Sequence, residues 1–79
     1  MIIRVFGGLK DYFEPVFEIK EKISSISDLR QRLASMSPAS VQLLNKCRFA
    51  VGNTIVDEHS ALLLMTSTEV AVLPPSSGG

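Results

Sequence analysis

Apolar and polar positions alternate in short blocks along the chain, and the blocks separate strands from helix. Ile2-Ile3-Arg4-Val5-Phe6 is β-branched and aromatic and reads as a first strand, which the paired glycines Gly7-Gly8 then end. Val16-Phe17-Glu18-Ile19-Lys20-Glu21-Lys22 alternates apolar and charged residues from Phe17 onward, the period of a half-buried strand. Together these two predict a β-hairpin with a short glycine-containing connection. Ser25 followed by Asp28 resembles a capping box, and Ile26, Leu29, Leu33 and Met36 fall at helical spacing on one expected face. Pro38 stops that helix or begins the next segment, and residues 38–46 have room for a second short helix with Val41 and Leu44 inward.

Strand character returns at Arg48-Phe49-Ala50-Val51, followed by a Gly52-Asn53 turn and Thr54-Ile55-Val56. Asp57 to Ser60 reads as a polar loop, and Ala61 to Met65 as either a short strand or a helical turn. Glu69-Val70-Ala71-Val72-Leu73 is a final strand that Pro74-Pro75 must close, because proline has no N–H for the ladder. The expected order is β-β-α-(short α)-β-β-β, an α+β arrangement with a mixed sheet and one main helix on one face.

At 79 residues the chain makes one domain, with 1–73 as its folded part and 74–79 as an extended tail. Such a small domain buries only part of its surface and gains from outside support. Cys47 is the only cysteine, so no disulfide forms within the chain, and its spacing to His59 is unlike a zinc site. A partner protein is the remaining aid, and an apolar content of 46% fits an apolar interface. Eight basic side chains balance eight acidic ones, without the basic excess of a nucleic-acid binder. Ala61–Met65 is too short to span a bilayer, and Met1-Ile2-Ile3-Arg4 runs into the first strand without a signal-peptide cleavage region. A reduced, cytoplasmic setting is the expectation.

The chemistry concentrates in the tail. Pro74-Pro75-Ser76-Ser77-Gly78-Gly79 has no large side chain and no charge except its terminal carboxylate. Pro-Pro favours an extended polyproline conformation, and the six residues at ~3.1 Å each would reach roughly 19 Å. Gly78 and Gly79 lack Cβ atoms, so the tip can enter a narrow channel in another protein. An α-carboxylate is ionised near neutral pH and is a poor electrophile, whereas its acyl-adenylate has a good leaving group. A sulfur nucleophile would convert the adenylate to a thiocarboxylate, and a lysine amine would give an isopeptide bond. Gly7-Gly8 has neither the spacing nor the lysine of a phosphate-cradling loop, so ATP and Mg²⁺ belong to a separate activating enzyme.

The segment Glu69-Val70-Ala71-Val72-Leu73-Pro74-Pro75-Ser76-Ser77-Gly78-Gly79 resembles the C-terminus of the molybdopterin synthase small subunit. Asp28-Leu29-Arg30-Gln31-Arg32-Leu33 and Ala50-Val51 extend the resemblance over the chain. It implies a β-grasp (ubiquitin-like) fold and a sulfur carrier without a bound cofactor. In this reading an E1-like adenylating enzyme activates Gly79. A sulfur donor, cysteine desulfurase or rhodanese-like, supplies the thiocarboxylate. The large synthase subunit, in a 2+2 heterotetramer, then takes the sulfur for the dithiolene of molybdopterin. Neither nucleic acid nor membrane enters the cycle. The resemblance also implies that Phe6, Ile55 and Leu73 form the partner interface. The chain departs from the family pattern at Ser67-Thr68, where Gly-Asp is usual, and at Gly52, which precedes Asn53.

Other readings share the same tail. One is a related carrier for thiamin thiazole formation or tRNA thiolation, although thiamin carriers usually lack the two prolines. A ubiquitin-like modifier joined to lysines through Gly79 is another, and a plain interaction domain is a third. Elsewhere the residues read as structural: Cys47 as a half-buried thiol, His59 as surface, Leu62 to Met65 as core, and Arg30 with Arg32 as a solvated helix face.

Overall fold

A computed structural model describes residues 1–52, 54–56 and 69–75. Asn53, residues 57–68 (with the loop expected over 57–60 and the apolar group over 61–65) and the tail from Ser76 lie outside the described residues.

Five strands form one mixed sheet: β1 (Ile2–Val5), β2 (Val16–Glu18), β3 (Arg48–Val51), β4 (Thr54–Val56) and β5 (Glu69–Leu73). Their order across the sheet is β2-β1-β5-β3-β4. β1 and β5 run parallel, and every other neighbouring pair is antiparallel. Helix α1 (Ile26–Met36) packs on one face, and a 3₁₀ turn (Pro38–Ser40) leads into the short α2 (Val41–Leu44). The order of elements is that of the sequence reading, and Pro38 both follows the helix and opens the next turn.

The first connection differs from the expected short hairpin loop. Between β1 and β2 the chain forms a 3₁₀ turn, Gly7–Asp11, whose Leu9 is fully buried, and Phe13 just beyond it is buried as well. Phe13 stacks on Phe17 with ring centroids 5.7 Å apart. These side chains cap one end of the core, a task that a tight turn has no residues to perform. β2 is also shorter than the alternating run that announced it. Its pairing continues one step, through the Ile19 N–H donating to Met1 O at 2.9 Å, and then β1 offers no further partner.

α1 begins where the serine pair predicts. The Ser25 hydroxyl accepts the Asp28 N–H at 3.1 Å, and Asp28 lies in the first turn, where the helix dipole favours a negative charge. The capping box is only half made, because the Asp28 carboxylate takes the Ser24 hydroxyl instead of reaching back to the cap. Ile26, Leu29 and Leu33 are buried against Ile3, Val5, Phe49, Val70 and Val72 from the sheet. Two residues expected inward are exposed. Met36 sits at the edge of the apolar arc and is the last helical residue, and Val41 turns outward while Leu44 enters the core.

Arg30 corrects a further expectation. It is half-buried and donates to the carbonyls of Leu44 and, at 3.2 Å, Cys47. Its guanidinium lies 4.9 Å from the Phe49 ring centroid. Carbonyls at a helix C-terminus lack intrahelical donors, and a planar guanidinium can serve two of them while stacking on an aromatic ring. Arg30 therefore fastens α1 to the corner between α2 and β3. Arg32 stays at the surface side of the helix and pairs with Glu21 at 2.5 Å.

Candidate functional site

The root of the tail is set by the position of β5. This strand lies at the centre of the sheet, bonded to β1 on one side and β3 on the other. Its last residue, Leu73, faces Arg48 in register, and Val72 pairs with Val5, which brings the chain after Val5 alongside Pro74. A tail leaving an edge strand would be held on one side only; this one leaves between two neighbours. Two consecutive prolines then take up the chain at the point where the ladder ends.

Gly7 closes the root from the β1 side. Its φ is +60°, and a Cβ placed there would lie 2.8 Å from Pro74 Cγ. A residue with a side chain would meet both the left-handed backbone and a rigid ring, so glycine suits the position on two separate grounds. On the β3 side, Lys46, Arg48, Leu73, Pro74 and Pro75 line an open cleft of about 450 Å³. Lys46 and Arg48 are exposed, and neither side chain takes part in an ion pair or hydrogen bond among the described residues.

Strand alternation divides the sheet into two faces. Val5, Phe49, Val70 and Val72 point to α1, whereas Arg4, Phe6, Arg48, Ala50, Ile55, Ala71 and Leu73 share the helix-free face. Phe6 is 37% and Ile55 51% exposed, both large for apolar side chains in a small domain. Between them Ala50 and Ala71 are directly paired and make a shallow floor. The structure thus brings Phe6, Ile55 and Leu73 to one face, next to the root of the tail. Across that face, toward the start of β5, Arg4 Nε bonds to Glu69 Oε2 at 2.6 Å.

Of the tail residues singled out from sequence, Pro74 is half-buried and Pro75 exposed; Ser76, Ser77, Gly78 and Gly79 lie outside the described residues. Reading the sequence missed Gly7 as the seat of Pro74, and it gave Lys46 no role and Arg48 only that of a strand residue. No local signal marks these roles, because the parallel pairing of β1 with β5 creates the first and the β3–β5 register the second.

Cys47 is buried, more fully than expected, and its Sγ contacts Leu43 O at 3.2 Å. Burial pushes its thiol above the ordinary value, against a smaller opposing pull from Arg30. The thiolate needed for a sulfur relay is disfavoured there. A second cavity of about 340 Å³, lined in part by Ile26, Arg30, Cys47 and Phe49, holds no acid–base pair among the described residues. Nor do three or more potential metal ligands gather anywhere among those residues. No described helix is long and apolar enough to cross a membrane.

What the described arrangement does is hold the root of the tail, Pro74 and Pro75, beside an exposed apolar face. No curated protein sequence gives a significant match. Among solved structures, SAMP1 from Haloferax volcanii superposes with a TM-score of 0.76 at 16% identity, over 99% of this chain and 97% of that one. At that identity the likeness speaks for the fold, which is the β-grasp expected from the sequence. The sequence model of the ThiS family matches residues 3–79. The chain is a member of the ThiS family, the ubiquitin-like sulfur carriers, whose partners include activating enzymes of the E1-like kind.

Proposed function

We propose that this carrier is the small subunit of a molybdopterin synthase. The observation that carries the reading is the tail, Leu73-Pro74-Pro75-Ser76-Ser77-Gly78-Gly79, issuing from the central strand beside Phe6, Ile55 and Leu73. A carboxylate oxygen of Gly79 attacks the α-phosphate of ATP on an E1-like adenylating enzyme, forming the acyl-adenylate and releasing pyrophosphate. The terminal sulfur of a persulfide on a desulfurase or rhodanese-like donor then displaces AMP to give an acyl disulfide. A second thiol cleaves its S–S bond, forming a disulfide with the donor's cysteine and leaving the thiocarboxylate. The helix-free face docks on the large subunit, with Phe6, Ile55 and Leu73 at the contact. The tail enters the active site of that subunit, whose residues move the sulfur to the pterin precursor. One dithiolene needs two sulfur atoms, so two loaded carriers serve each product, in keeping with a 2+2 complex. The carrier itself contributes position and a reactive chain end, while ATP and Mg²⁺ remain with the activating enzyme.

A carrier for tRNA thiolation or thiamin thiazole formation would share the activation steps and differ in the acceptor, as would a modifier joined to lysines through Gly79. Intact-mass measurement after incubation with ATP, Mg²⁺, an adenylating enzyme and a sulfur donor tests the shared chemistry. The expected product is heavier by one oxygen-to-sulfur exchange, and a chain lacking Gly79 stays unchanged. Adding the large subunit and the pterin precursor tests the acceptor. Failure to form molybdopterin from a thiocarboxylate that does thiolate tRNA would overturn the assignment.

A further inference from the structure

We propose that the cleft at the root of the tail receives an acidic segment of the adenylating enzyme, held by Lys46 and Arg48. This rests on the reading of the chain as a carrier activated at Gly79.

Of the eight arginines and lysines in the chain, three have side-chain partners among the described residues. Arg4 pairs with Glu69, Arg32 with Glu21, and Arg30 serves the Leu44 and Cys47 carbonyls. The other five have no carboxylate within ion-pair distance among the described residues, and of these Lys46 and Arg48 open together onto the cleft at the root of the tail. Glu69, the acid of β5, is at the opposite end of that strand and is occupied by Arg4. Among the described residues, the root of the tail is therefore a basic corner.

The length of the tail decides which anion fits. Four residues separate Pro75 from the end of Gly79, roughly 12 Å at ~3.1 Å per extended residue. ATP phosphates meet the carboxylate at the tip, beyond the reach of cations at the root. What stands opposite the root when the tip is inserted is the rim of the enzyme's own channel. Leu73, Pro74 and Pro75 supply an apolar floor for a peptide segment, and the two cations require acidic residues along it. Charges at such a rim act mainly on encounter and on salt dependence, and little on the chemical step.

The experiment measures KM and kcat of the carrier in ATP–pyrophosphate exchange with the adenylating enzyme that modifies it. The double variant Lys46→Glu/Arg48→Glu is compared with Lys20→Glu/Lys22→Glu, which makes the same change in net charge away from the tail. Thermal unfolding of both variants verifies that these exposed substitutions leave the fold intact. The expected result is a KM raised about tenfold or more by the first pair only, with kcat nearly unchanged. Raising ionic strength from about 0.02 M to about 0.3 M should raise the wild-type KM and leave that of the first pair almost flat. An unchanged KM, or an equal rise in both pairs, overturns the proposal while leaving the carrier chemistry intact. A lowered KM also overturns it, because it would make the chain's own terminal carboxylate the occupant. A wild-type chain left unmodified by an enzyme competent on another carrier overturns both readings together.

Discussion

Replacing Gly7 by alanine adds one methyl group at φ +60°, where Pro74 Cγ would lie 2.8 Å from it. Gly52 offers the natural comparison, since its φ is +64° and nothing lies within 4 Å of an added Cβ. An L-residue in the left-handed region costs about 1–2 kcal/mol. Both substitutions carry that cost, and both recover a little from a less flexible unfolded chain, about 0.4–1 kcal/mol. Gly52→Ala should therefore lose about 1 kcal/mol net. Gly7→Ala adds the strain of forcing a methyl group against a rigid ring, about 1–3 kcal/mol more. For a domain of this size each kcal/mol moves Tm by about 4–8 °C. Urea unfolding at constant m-value reads the difference as a shift in midpoint. Pro74→Ala removes the offending Cγ, and the remaining Cβ stands at an ordinary 3.8 Å. In that background the two glycine substitutions should cost the same. Equal costs in the wild-type background, or a gap that survives Pro74→Ala, would refute the claim that Gly7 seats the root of the tail.

Arg30→Ala should destabilise by about 1–3 kcal/mol, since it strips donors from the Leu44 and Cys47 carbonyls; Arg30→Lys should recover little of this, because an ammonium cannot reproduce the planar fork. Denaturant titration of the two variants checks both statements. Cys47 holds its proton more tightly folded than unfolded, so its contribution to stability is complete below 9.0 and declines as pH rises from there toward the raised folded value. Unfolding measured between neutral and strongly alkaline pH should show that decline in the wild type and not in Cys47→Ala, and a thiol reagent should label native protein far more slowly than denatured protein. Ile55→Asp changes an exposed position, so stability should move by only about 0.5 kcal/mol, while on the proposed function binding to the large subunit, read by calorimetry, is lost.

Local pattern was a good guide wherever the physics is local. Glu69–Leu73 alternates with period two and then meets proline, and β5 has those bounds. Ser25 and Asp28 mark the helix start because a cap needs only neighbours in sequence. Gly52 takes the left-handed conformation that its turn requires. Position in space was less accessible. Arg30 looked solvated because nothing in Asp28-Leu29-Arg30-Gln31 reveals two open carbonyls fourteen and seventeen residues further on. The 3₁₀ turn at Gly7 was hidden because its buried Leu9 answers to a core built by distant elements. Phe6, Ile55 and Leu73 came from the family resemblance, and their common face follows from strand register, which a single strand's pattern cannot supply.

The place of β5 in the sheet has a consequence for how the chain comes to be folded. β1 with β2 and β3 with β4 are each sequence-local pairs, yet neither pair touches the other along the ladder until β5 slides between them. During synthesis the two halves must therefore wait for the strand that emerges after both. Joining β1 to β5 closes a loop of more than sixty residues, the kind of distant pairing that slows folding. The same strand carries the tail, so a nascent or damaged chain that has not completed the sheet has no rooted end to offer.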